Sequence, residues 1–188
     1  PAGVTTILTG DIVIDHEMEL LFSEDMSVTS NFALIGIVIV ILLIFRSVKY
    51  GLIPLSTILF ANLWAFGMLG LLRMPITSVM TGVSSMIMGI GIDFGIQVVS
   101  RFRYEKQNKS PSEAMSETLS NVIIPLSTTT LAALIGFRAM SLGKLTMMED
   151  IGTMMSFGVL FAMLAAVTAV PVLLLYAEKI RFTRRKKK

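Results

Sequence analysis

The chain has 188 residues, 54% of them hydrophobic and 15% charged, with a mean hydropathy of +0.77; a soluble domain carries about 25% charged residues, so the bilayer is the expected solvent. The net charge of +3 does not argue for nucleic acid, because the basic residues sit at the ends of apolar runs and in one tail, as in membrane proteins. The absence of cysteine removes disulfides, thiolate chemistry and Cys-based metal sites.

Residues 3–8 (GVTTIL) are β-prone and end at Thr9-Gly10. Ile14, Met18, Leu21, Phe22 and Met26 then recur at helical spacing between acids, which predicts an amphipathic helix outside the bilayer. The first span is predicted over residues 31–45, short of the usual ~20, so the preceding helix should feed into it. The second covers residues 52–72 with Pro54 in its first turn, where a missing N–H is tolerated. The third covers residues 76–100. In the polar stretch that follows, Ser110-Pro-Ser-Glu113 has the form of a capping box with Pro at the first helical position. It predicts a short amphipathic helix over residues 111–121, with Ala114, Met115 and Leu119 on the membrane surface. The fourth span follows at 122–140. A second capping-box pattern, Thr146-Met-Met-Glu149, precedes the fifth, at 151–176. The expected fold is an all-α membrane protein: an extracytoplasmic strand and helix segment (1–28), a five-helix transmembrane bundle (29–177) and a basic tail (178–188).

The distribution of charge sets an expected orientation. With the N-terminal segment outside, thirteen of the sixteen Lys and Arg residues fall inside, leaving Arg73, Arg138 and Lys144 outside. The segment before the first span has six acids and no Lys or Arg. This predicts a multi-pass cell-membrane protein with its N-terminal segment extracytoplasmic and its C-terminus cytoplasmic. No targeting pattern follows Pro1, so an earlier helix is expected to have carried the first segment across.

Of the thirteen acids only Asp93 lies inside a predicted span, eight residues from Arg101 and so about 12 Å into the helix. A carboxylate at that depth costs about 2.5–3.5 kcal/mol unless protonated, paired or hydrated, which makes a proton or ion site the functional reading. The alternative is an Asp that bonds a neighbouring helix and never titrates. Gly89, Gly91 and Gly95 surround it and would allow close helix packing, Gly91 and Gly95 as a small-xxx-small pair. Gln97, one turn on, could bond Asp93 or face a cavity. The next span carries Pro125 and the run Ser127-Thr128-Thr129-Thr130, which an antiparallel arrangement brings to the depth of Asp93. These hydroxyls could serve as relay partners, with Thr129 or Thr130 facing Asp93, or could bond back to their own helix around Pro125. Thr168 is a weaker candidate at similar depth, and Asn62 lies mid-way along the second span. His16 reads as a surface residue and the fourteen Met residues as apolar filler, so neither a metal nor a cofactor is expected.

The segment Gly89-Ile-Gly-Ile-Asp-Phe-Gly-Ile-Gln-Val-Val-Ser-Arg-Phe-Arg-Tyr-Glu105 resembles the fourth transmembrane helix of the resistance-nodulation-division (RND) superfamily, especially its MMPL-like branch. The Thr9-Gly10-Asp11 turn is similar to that family's return into the membrane, so the chain corresponds to helices two to six of one transporter half. The resemblance implies proton-driven export of hydrophobic or lipid-like molecules, with Asp93 as the proton-coupling residue and residues 127–130 where relatives place hydroxyl partners. It also implies membrane lipid and a second half, or a second copy, as partners. Relatives of this branch often have Tyr after the Asp and drug-efflux relatives two adjacent Asp residues; here Phe94 follows a single Asp, which leaves proton against sodium open. Two other readings share the helix arrangement, a lipid sensor like the sterol-sensing domains and a protein-translocation helper like SecD and SecF. An intramembrane aspartyl protease needs two carboxylates in its spans, so an enzyme is not expected.

Overall fold

The structure is a computed structural model that describes residues 11–74, 78–143 and 145–185. It contains five long helices: α1 (Asp11–Phe45), α2 (Val48–Leu71), α3 (Ser78–Glu105), α4 (Pro111–Ala139) and α5 (Thr146–Arg185). A 3-10 turn (Met140–Leu142) follows α4. Each helix contains a segment long and apolar enough to cross a membrane: Val28–Phe45, Tyr50–Leu71, Gly82–Glu105, Pro111–Leu142 and Met147–Lys179. Among the described residues there is no strand, and the strand expected at residues 3–8 lies outside them.

The helices are longer than the predicted spans. α1 runs unbroken from the acidic segment into the first span. α2 starts at Val48 after Ser47 in extended conformation, which puts Pro54 inside the helix rather than in the first turn of a span starting at residue 52. Membrane helices tolerate such a proline when nearby hydroxyls and neighbouring helices re-satisfy the backbone, and the Thr57 hydroxyl donates to the Pro54 carbonyl at 2.6 Å. Residues 111–121 are not a separate surface helix either. They form the start of α4, where Ala114 and Met115 are buried in the protein core and Leu119 packs against it. The apolar stripe expected to meet lipid is covered because α4 lies against α3 and α5. The capping box itself is formed: Ser110 Oγ accepts from Glu113 N, and Glu113 accepts from Ser110 N. α5 continues through the predicted tail to Arg185. Thr146 opens α5, but its side chain lies outside the described residues.

α5 is the hub, packing on α2, α3 and α4, whereas among the described residues α1 meets α2 and α3. Small residues explain the hub: Ala61 and Ala65 on α2 and Ala162 and Ala166 on α5 recur every four residues and are fully buried. Without a hydrophobic drive between helices in lipid, such faces allow the backbones to approach and gain dispersion contact. Trp64 of α2 closes the pair edge-on to Phe161 of α5, with ring centroids 6.1 Å apart. The two spans with the smallest buried share are those of α1 (11%) and α4 (17%), so the periphery of the bundle lies there.

The Arg101 end of the bundle is tied by charge. Glu178 of α5, which is buried, accepts a hydrogen bond from Tyr50 of α2 at 2.6 Å and pairs with Lys106, just beyond α3. Arg103 donates to the Phe45 carbonyl at 3.2 Å and lies over the rings of Phe45 and Tyr50. Glu105, also buried, holds Arg101 at 2.7 Å and Lys109 at 2.8 Å. The bond from Glu105 pushes the Lys109 ammonium above the usual lysine range.

Candidate functional site

α3 presents Asp93 to a cavity of about 350 Å³ walled by three helices. Gly89, Asp93 and Gln97 line it from α3, Thr129 and Ala133 from α4, and Val159 from α5. Positions 89, 93 and 97 are four apart, so they fall on one face of α3, which is how the sequence builds the wall. The antiparallel arrangement brings Thr129 to the depth of Asp93. Asp93 and Thr129 are both exposed in the five-helix bundle, and Gln97 is half-buried. The ion pairs among the described residues lie at the Arg101 end and do not include Asp93.

The hydroxyl run does not act as a block. Successive residues of a helix are about 100° apart, so four in a row spread round most of the circumference. Only Thr129 lines the cavity. Its hydroxyl donates within α4, to the Pro125 and Leu126 carbonyls, both at 3.0 Å, and Thr128 likewise donates to Ile124 at 2.9 Å. Ser127 and Thr128 are exposed away from the cavity lining, whereas Thr130 is buried with its hydroxyl unpartnered among the described residues. Thr168 is exposed and donates to Leu164 in its own helix at 2.6 Å. Asn62 accepts from Ser84 at 2.6 Å and so joins α2 to α3.

The three glycines also divide. A Cβ at Gly95 would lie 3.0 Å from the Pro54 Cα, the Pro54 carbonyl oxygen and the Thr57 hydroxyl, and one at Gly91 would lie 3.3 Å from the Ala162 Cβ. Gly89, expected to pack with them, has nothing within 4 Å of that position and lines the cavity. Thr57 was not singled out by sequence. It is fully buried, and its hydroxyl reaches the Gly91 carbonyl at 2.9 Å. Its only trace in the sequence is its place three residues after Pro54.

The family model described as the MMPL family matches residues 1–188. The chain belongs to the MMPL family. Its motif around Asp93 accordingly belongs to the MMPL-like branch of the RND superfamily. This MMPL chain is 33% identical to the membrane protein MJ1562 of Methanocaldococcus jannaschii, over 95% of its own length and 46% of that protein's. It is 28% identical to the membrane protein YdgH of Bacillus subtilis, over 87% of the chain and 19% of YdgH. With MmpL12 of Mycobacterium tuberculosis, named as a transport protein, it shares 25% identity over 92% of the chain and 15% of that protein. The MMPL chain therefore spans less than half the length of each of these relatives.

Proposed function

We propose that this MMPL segment forms helices two to six of one half of an RND-type secondary transporter, which exports hydrophobic or lipid-like molecules against an inward flow of protons. One observation carries the reading. Asp93, well inside the α3 span, opens into a cavity shared by three helices, with Gln97 and Thr129 as its polar neighbours. An intramembrane charge of this kind is retained when it exchanges protons or ions, and a cavity wall gives it the access that exchange requires. Asp93 is the proton-coupling residue, and Thr129 is the hydroxyl best placed to serve it through water.

Residues 1–28 end an extracytoplasmic domain, residues 29–177 form the membrane domain, and 178–188 form a basic cytoplasmic tail that meets anionic lipid. The bias of thirteen basic residues against three supports this orientation. The exposed faces of α1 and α4 meet lipid and a second half, supplied by the same polypeptide or by another copy.

The test is efflux of the lipid-like dye Nile red from energised cells expressing the full-length protein. Asp93→Asn abolishes proton-dependent efflux while its level in the membrane stays unchanged. Efflux at the parental rate by that variant sinks the proposal.

A further inference from the structure

We propose that Thr57 is a positioning residue for Asp93, its hydroxyl setting how the turn 91–95 of α3 sits on α2. The inference rests on the role proposed for Asp93. Gly91 and Gly95 are one helical turn apart and flank the carboxylate by two residues on either side. Residues two apart lie about 200° from each other around a helix. What grips the glycine side of α3 therefore fixes the depth and rotation at which Asp93 meets the cavity on the other side.

The grip comes from two residues of α2. The Thr57 hydroxyl lies 2.9 Å from the Gly91 carbonyl, and the Gly95 Cα faces Pro54 and the same hydroxyl so closely that an added Cβ would be 3.0 Å from each. On its other side Gly91 meets Ala162 of α5, so the turn is held between two helices. The hydroxyl has one proton and two acceptors, since the Pro54 carbonyl is at 2.6 Å. When α3 moves, the proton stays on Pro54, and no buried donor is stranded. A valine at this site would preserve shape but lose the link between helices. This makes Thr57 a releasable anchor, the property required of a contact next to a group that changes partners.

The experiment reads Asp93 directly and needs no substrate. Membranes holding the full-length protein are treated with dicyclohexylcarbodiimide, which modifies protonated carboxyls, and the adduct on the Asp93 peptide is quantified by mass spectrometry as pH is varied. Thr57→Val displaces the midpoint of that profile by about half a pH unit or more, and Thr57→Ser, which keeps the hydroxyl, restores it. Ser56→Ala leaves the profile in place, because the Ser56 hydroxyl donates to the Ile53 carbonyl of its own helix at 2.7 Å and, among the described residues, makes no bond to α3. Gly95→Ala, which presses a methyl into the same contact, displaces the profile too and provides a second variant should Thr57→Val assemble poorly. Profiles of Thr57→Val or Gly95→Ala that coincide with the parent overturn the inference. Loss of efflux in Asp93→Asn with such coincident profiles would leave the transport reading standing and remove only the role of Thr57.

Discussion

At the scale of single residues, identical letters acquire different roles from their neighbours. Gly89, Gly91 and Gly95 look equivalent in sequence, yet only Gly91 and Gly95 meet other helices, and Gly95 meets backbone. Backbone cannot rotate away as a flexible side chain can, so Gly95→Ala must shift α2 and should lower stability by about 1–3 kcal/mol. Gly89→Ala should be close to neutral. Thermal unfolding of the two variants in detergent, compared with the parent, checks the contrast; equal midpoints would refute the close approach of α2 and α3. The hydroxyl run divides in the same way, because the helical turn sends one of four side chains into the cavity.

At the scale of elements, α4 and α5 show how helix ends decide where charge is held. Ser110 and Glu113 close the capping box that starts α4, a device legible in four letters of sequence. The pairing of Lys106 with Glu178 was not legible, because 72 residues separate the two. Glu178 is buried, and a buried carboxylate deprived of the Lys106 ammonium keeps its desolvation penalty with less attraction to offset it. Lys106→Ala should therefore lower stability by about 1–3 kcal/mol, the partial exposure of the lysine keeping the loss below that of a fully buried pair. Lys109→Ala, on a more exposed cation, should cost less. Unfolding midpoints of the two variants, measured side by side, settle their order.

At the scale of the whole molecule, three helices pack round α5 with α1 beside α2 and α3, and the ends of the bundle separate by charge. Lys109 lies at the Arg101 end, and Leu142, 87% exposed, at the opposite end beyond α4. Because this segment has no cysteine, Lys109→Cys and Leu142→Cys each give it a single thiol. In intact cells, with any cysteine elsewhere in the full-length protein replaced, a membrane-impermeant maleimide should label Leu142→Cys and spare Lys109→Cys. The reverse pattern would overturn the orientation inferred from the basic residues.

The sequence by itself determined the number of spans and the identity of the intramembrane acid, because apolar length and the cost of a charge in lipid are properties of composition and order alone. It also determined the family, through a motif carried on one helix. Only the tertiary structure decided which of Ser127, Thr128, Thr129 and Thr130 reaches the cavity, which glycines are contacts, and that Thr57 and Glu178 matter. Those outcomes depend on the rotation of each helix about its axis and on which helix lies beside it, and close packing between separate helices fixes both.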